Sequence, residues 1–436
     1  MKIAIVGAGW AGMAAAVTAT QAGHSATVFE AARTVGGRAR ALAATLPNGS
    51  PVNLDNGQHI LIGAYRDCLR LMRQVGVRAE DSLLRLPLTL QFPDGDGLVL
   101  PRWPSPWDAA AGIWRARGWS VADKWSLLQA CARWQRAGFA CDSATTVADL
   151  CAGLRPRIIQ TLVEPLCVSA LNTPPGRASG QVFLRVLHDA LLGGPGASHL
   201  LLPTVDLSAL FPQAAAQWLQ THGGGVHLGT RVEQLRPAGA GQAGAWWVNG
   251  APFDAVVWAT SSSNAALALV ESSQYAPELI ANAMQQWAAT ANALQFEAIT
   301  TVYAWAAGAR LSQPMLTLRP AGAQAPAQFV FDRAQLGGPA GLLAFVVSAS
   351  GTERGALQAQ VLQQARAQLG LDLQAVQTVV EKRATFACTP GLQRPPQRIA
   401  PGLVACGDYV AGPYPATLEG AVRSGCDAIQ ITVETT

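Results

Sequence analysis

The sequence predicts an α/β fold: a domain built on a parallel sheet, discontinuous in the chain, with an α+β domain interleaved between its pieces. Three observations predict it. Residues 2–6 (KIAIV) form a β-branched run that leads through a glycine-rich turn into a small-residue helix pattern and a second short strand. A strand, a Gly-Asp turn and a small-residue helix follow one another again over 402–425. Between them, 207–260 carries helix and strand patterns that suit the same sheet. The length agrees, because at about 100–200 residues per domain a chain of 436 makes two or three.

The first strand is apolar enough to be buried on both faces. Gly7 permits the tight turn out of it, Gly9 lets backbone approach a pyrophosphate, and Gly12 lets the following helix pack closely on the sheet. Trp10 and Ala11 stand between those glycines at the helix entry, where free N–H groups and the helix dipole favour phosphate. The helix pattern runs over 13–22 and ends at Gly23. A second strand over 25–29 is closed by Glu30, eighteen positions after Gly12, where a carboxylate can accept from ribose hydroxyls. Strand, helix, strand and acid in this order define a Rossmann-like dinucleotide site, and the acid disfavours a 2′-phosphate.

Gly36-Gly37-Arg38 follows, with Arg40 just beyond. An acid on the second strand followed by G-G-R resembles the second motif of the amine-oxidase and phytoene-desaturase flavoprotein superfamily. The resemblance implies FAD, with Gly36, Gly37 and Arg38 along its diphosphate and ribityl chain. It also implies that Gly407 and Asp408 meet the ribityl and phosphate groups, and that the helix beginning near Thr417 and Leu418 points at the pyrimidine side of the flavin. A helix N-terminus there stabilises negative charge near flavin N1 by about 0.3–1 kcal/mol or more. In the middle piece, a helix is expected over 207–220 and strands over 226–232, 246–248 and 253–260, and the resemblance implies that Val232 touches the adenine through its backbone.

A narrower resemblance rests on other segments: Asp55-Asn56-Gly57-Gln58-His59, Ala170-Leu171-Asn172-Thr173, Val205-Asp206-Leu207-Ser208, and the run from Tyr414 to Ala421. These look like the squalene-associated FAD-dependent desaturases, the hydroxysqualene dehydroxylases of bacterial hopanoid pathways. The resemblance spans nearly the whole chain and implies that Gly57, Gln58 and His59 lie against the flavin. It implies a reductive reaction, in which hydroxysqualene loses its hydroxyl and gains a hydride from reduced FAD, giving squalene and water. The protein would position the isoprenoid chain, exclude water and supply a proton. The residues leave that acid open among His59, Asp55, Tyr414 and Tyr409; His59 is favoured because histidine donates near neutral pH. An oxidative carotenoid-type desaturase or amine oxidase, and a non-catalytic prenyl-lipid carrier, are the alternative readings. The electron donor for FAD is not identified by the sequence.

The FAD-binding domain is expected over 1–65, 201–265 and 396–436, and the substrate domain over 66–200 and 266–395. The substrate domain should carry helices over 121–137 and 155–168, the second with Pro165 near its end, and strands over 300–306 and 342–348. A mixed sheet capped by helices would give the apolar tunnel that a squalene-length molecule requires. Residues 102–136 interleave six of the thirteen tryptophans with Arg and Lys, a pattern that predicts a peripheral membrane contact. Half the residues are hydrophobic, net charge is only +4 and no dense Lys/Arg run occurs, which argues against nucleic acid as a partner. No metal site is expected: the eight cysteines form no C-x-x-C pair and suit a reducing compartment. With no secretory signal and no long apolar run, the expected location is the cytoplasm, with any membrane contact on the inner face of the cytoplasmic membrane.

Overall fold

The computed structural model describes residues 1–103, 107–239, 245–351 and 353–434. Residues 104–106 within the expected segment 102–136, 240–244 within 201–265, 352 within 266–395 and 435–436 within 396–436 therefore lie outside the described residues.

A six-stranded sheet organises one half of the molecule, in the order Gly225–Leu228, Ser25–Glu30, Lys2–Val6, Ala255–Trp258, Leu403–Ala405, Arg398–Ala400. Every pairing is parallel except the last. Its central strands come from three distant parts of the chain. Ile3, Ile5, Val256, Val257 and Leu403 are fully buried, as expected of strands covered on both faces. The helix Trp10–Gln21 crosses from the first strand to the second, and the helix Leu418–Glu434 lies against it. That approach needs Gly425, because a Cβ there would collide with the Ala11 carbonyl oxygen.

A five-stranded sheet organises the other half, in the order Met315–Thr317, Phe329–Asp332, Leu342–Ser348, Phe296–Trp305, Gln374–Phe386. All its pairings are antiparallel, so the mixed sheet expected here is corrected. A small sheet of Leu61–Ile62, Leu200–Pro203 and Leu83–Leu86 straddles the expected boundaries at 65/66 and 200/201.

Four further expectations are corrected. The helix expected over 207–220 is two, Leu207–Leu210 and Pro212–Thr221, broken at Phe211 because a residue before proline is pushed out of the helical region. The strand expected over 253–260 is also two: Ala251–Phe253 pairs antiparallel with Trp246–Val248, and Ala255–Trp258 joins the parallel sheet. Asp254 makes the switch, exchanging hydrogen bonds with the Lys2 backbone at 2.7 and 2.9 Å. The strand expected over 226–232 stops at Leu228. The helix around Pro165 continues to Leu171, because a π turn over Ile159–Val163 absorbs the missing amide. By contrast Val121–Arg136 and Leu342–Ser348 match their patterns closely, the former opened by a capping box between Ser120 and Asp123.

Six of the eight free cysteines are buried, and burial pushes Cys151, Cys167 and Cys388 up to about 12, which makes them unreactive thiols. Among the described residues no cluster of His, Cys, Asp or Glu could hold a metal ion, and no helix is long and apolar enough to cross a membrane.

Candidate active site

The glycines of the first turn divide into two kinds. A Cβ on Gly12 would strike the Gly7 carbonyl oxygen, and one on Gly7, at φ +112°, would come within 2.8 Å of the Ala259 oxygen. Those two close the fold. Gly9 differs: the nearest atom to its added Cβ is the Gly37 Cα, 4.0 Å away. Gly9 and Gly36 face each other as an isolated parallel bridge, held by the Gly36 amide donating to Ala8 at 2.8 Å. The helix that starts at Trp10 has no side-chain cap, so its first amides are offered at this gap. The Trp10 ring points away into the core, donating to the Ala39 carbonyl and packing on Phe211 with ring centroids 5.3 Å apart.

Glu30 accepts from the Ala8 amide at 2.7 Å and the Ala32 amide at 2.8 Å, one on each carboxylate oxygen. Each oxygen keeps a lone pair for a ribose hydroxyl. The Thr230 amide donates to the Glu30 carbonyl and Gly229 to that of Ala32, both at 2.8 Å, so the segment leading to Val232 runs along this end of the site.

The two chain ends meet at Arg38 and Asp408. Their side chains form an ion pair, and Asp408 holds the Arg38 guanidinium firmly protonated. Arg38 also donates to the Ala384 carbonyl at 2.7 Å, tying the nucleotide sheet to the antiparallel one. Gly407 donates its amide to the Ser424 hydroxyl at 2.8 Å, and its missing side chain makes room for the Tyr409 ring. Thr417 Oγ caps the terminal helix by accepting from the Gly420 amide at 2.9 Å, with Leu418 as the first helical residue.

A cavity of about 240 Å³ opens beside this ion pair, lined among others by Arg38, Ser262, Glu381, Arg383, Asp408 and Tyr409. Two polar atoms on its lining residues, Ser262 Oγ and Tyr409 Oη, are buried without a hydrogen-bond partner among the described residues. Orphaned buried hydroxyls are costly and call for a ligand or ordered water. Open space at Gly9, uncapped amides, a free-sided Glu30 and two orphaned hydroxyls beside a fixed Arg fit a dinucleotide's polar chain. Most of its lining residues carry polar or charged groups, and it is not the apolar tunnel expected for the substrate.

The D-N-G-Q-H segment lies between the two sheets. Asp55 is buried; it accepts from the Leu207 amide at 2.8 Å and sits 3.9 Å from Arg333. Burial pushes its carboxyl up to about 6, against the opposing pull of the Leu207 amide and Arg333. Tyr303 donates its hydroxyl to the Asp55 carbonyl at 3.0 Å. Arg333 donates to Gln58 at 3.2 Å, and Asn56 bridges the Arg38 carbonyl and Glu381. Gly57 accepts, through its carbonyl, from His59 Nδ1 at 2.7 Å, which assigns the ring proton to Nδ1 and leaves Nε2 with no hydrogen bond among the described residues. Burial lowers the His59 pKa and the Arg38 charge adds to that effect, so the ring is neutral at pH 7. Tyr414 stands apart, its ring flanked by Arg185 at 5.4 Å and Arg423 at 5.0 Å. Burial and a hydrogen bond with Asp189 raise its pKa.

The other motif residues are joints. Asn172, at φ +45°, donates to Thr385 at 3.0 Å and accepts from the Ala349 amide at 2.7 Å. Glu419, wholly buried, accepts from the amides of Asp67 and Cys68 at 3.1 and 3.0 Å and so caps the helix Arg66–Gln74. Arg333, Tyr303, Glu381 and Ser262 escaped sequence reasoning; Arg333, directly after the apolar strand Phe329–Asp332, was the one visible signal.

The fold, and the gap between the two chain ends with its fit to a dinucleotide, define a flavin-dependent oxidoreductase. The chain belongs to the flavin-containing amine oxidoreductase family, whose model matches residues 10–430, and its cofactor is FAD. It is 29% identical to a hydroxysqualene dehydroxylase of Rhodopseudomonas palustris, over 98% of this chain and 97% of that one. A ζ-carotene desaturase of Arabidopsis thaliana is 33% identical over only 23% of this chain and 17% of its own. The crystal structure of an oxidoreductase from Methanosarcina mazei superimposes with a TM-score of 0.72 at 16% identity, covering 99% of this chain and all of the other.

Proposed function

We propose that the protein reduces hydroxysqualene, or a closely similar long allylic isoprenoid alcohol, to the hydrocarbon. The observation that carries the reading is end-to-end similarity to a hydroxysqualene dehydroxylase, against the short local match to a carotene desaturase. Bound FAD, once reduced, supplies the hydride equivalent. Atoms then balance: the C–O bond breaks, a C–H bond forms at the same allylic system, and oxygen leaves as water after taking one proton.

The chain's own work is to hold the alcohol, exclude water and deliver that proton. His59 is the proposed donor, through Nε2, since Nδ1 is committed to Gly57. A lowered pKa makes its protonated form scarcer at neutral pH but a better acid than an ordinary imidazolium, which suits expulsion of a poor leaving group. Asp55 positions the segment from below, through Leu207 and Arg333. Tyr414, held by Arg185 and Asp189, stands apart from that segment and is assigned no proton transfer.

Photoreduced holoenzyme mixed anaerobically with hydroxysqualene tests the proposal. The expected result is return of the oxidised-flavin spectrum with one squalene per flavin by mass spectrometry. Flavin that stays reduced with this alcohol, while oxidised enzyme is reduced by a polyene or an amine, would assign the desaturase or amine-oxidase reading instead.

A further inference from the structure

Four exposed tryptophans and an exposed valine gather in one stretch of the substrate-side half. Trp103, Trp107, Trp114, Val121 and Trp125 are 49%, 68%, 69%, 75% and 63% exposed, values that belong to surface and not to core. They form stripes. Trp107 and Trp114 lie seven apart on the helix Trp107–Arg115; Val121, Trp125 and Leu128 follow the i, i+4, i+7 spacing of one face of Val121–Arg136. Contacts join the stripes into one patch: Arg115 sits over the Trp103 ring at 5.0 Å, and Lys124 sits over the Trp114 ring at 5.9 Å while donating to the Trp114 carbonyl at 2.7 Å. Trp119 and Trp134, from the same stretch, are buried and anchor the helices from beneath.

The charges decide what this patch meets. Residues 102–136 contain six cationic side chains, Arg102, Arg115, Arg117, Lys124, Arg133 and Arg136, and two acids, Asp108 and Asp123. Both acids are buried. Asp108 accepts from the Ala109 amide, and Asp123 is spent on the Ser120 cap and on Arg155. The stretch therefore shows solvent tryptophan and positive charge and no carboxylate of its own. A partner protein's apolar groove would take the tryptophans and gain nothing from Arg115 and Lys124 beside them. A bilayer surface bearing anionic headgroups takes both, with indole rings at the headgroup level and Arg and Lys on the phosphates.

We infer that the face formed by the helices Trp107–Arg115 and Val121–Arg136 is a monotopic membrane-docking surface for anionic phospholipid. The inference stands apart from the substrate assignment, because its readout needs no turnover.

The test is flotation of the full-length holoenzyme with vesicles of phosphatidylcholine alone or of phosphatidylcholine with phosphatidylglycerol. Brominated acyl chains added to the vesicles report, by quenching, whether tryptophan enters the bilayer. Expected are binding to the anionic vesicles, weakening as salt rises, and quenching on contact. The triple change Trp107→Ser, Trp114→Ser, Trp125→Ser should lower partitioning by about tenfold or more and abolish quenching, with flavin retained as the sign of an intact fold. Arg102→Gln with Arg115→Gln, should the triple variant not fold, is expected to lower binding to anionic vesicles selectively by about tenfold. Failure of the wild-type protein to float with either vesicle overturns the inference. So does binding indifferent to both sets of changes, or a wild-type dimer that the tryptophan changes dissociate without affecting flotation, which would assign the face to a second copy of the chain.

Discussion

The first glycine turn and the D-N-G-Q-H segment both face the proposed flavin site, and they are built on opposite principles. At the turn, function follows from the absence of side chains: Gly7 and Gly12 are filled by neighbouring backbone, and Gly9 is left open for a ligand. In the second segment, function depends on side chains whose partners are far away in the chain, Asp55 on Leu207 and Arg333, Gln58 on Arg333. A steric requirement is local and survives in any homologous context. A polar clamp exists only when the whole molecule is assembled.

Substitutions can sharpen that contrast. The largest expected effect is Gly12→Ala, where a methyl meets immovable backbone; it should cost about 3 kcal/mol or more, read as a large drop in Tm or loss of folded protein. Gly9→Ala, in open space, should leave the apoprotein Tm near wild type yet weaken FAD binding by roughly a hundredfold, measured by fluorescence titration. Equal Tm losses in the two variants would erase the distinction between glycines that close the fold and a glycine that admits the cofactor.

Glu419→Ala probes the clamps, since it strips two buried amides of their acceptor. A loss of about 2–4 kcal/mol is expected by denaturant unfolding. For Asp55 the effect is a pH dependence. Its folded pKa of about 6 lies above the ordinary value of 3.8, so between those values the folded state binds more protons than the unfolded one. Stability from this group is fully present below pH 3.8 and is lost as pH rises through 6, by about 3 kcal/mol in all. Asp55→Asn should flatten that decline, which unfolding curves across the window will show. The smallest effect is expected at Tyr409→Phe, which removes a hydroxyl with no partner among the described residues. The apoprotein should be no less stable, while FAD binding weakens by about five- to thirtyfold, or about 1–2 kcal/mol.

Much of the nucleotide sheet was legible because its pattern is short-range: an apolar strand, a glycine turn, a small-residue helix and an acid within 30 residues. The breaks at Phe211 and Asp254 were visible as single residues, Pro212 and an acid inside an apolar run, but propensity summed over a window outvoted them. The antiparallel arrangement of the second sheet was not legible, since strand direction is set by connections over 296–386 and not by any strand's own composition. The same holds at the site. Gly9, Glu30, Arg38 and Asp408 were named by motif, whereas Ser262 and Tyr303 reach it through tertiary placement, across 224 residues from Arg38 and 248 from Asp55. Asp55, an expected catalytic candidate, stands in the structure as a buried joint.

The strand Leu403–Ala405 pairs with Ala255–Trp258, which in turn pairs with Lys2–Val6, and Arg38 finds its partner only at Asp408. During synthesis, the chain must therefore emerge past Asp408 before the two halves of the proposed pocket can meet. Until Leu403–Ala405 arrives, the edge of Ala255–Trp258 has no partner, and an unpaired edge strand invites association before the sheet is complete.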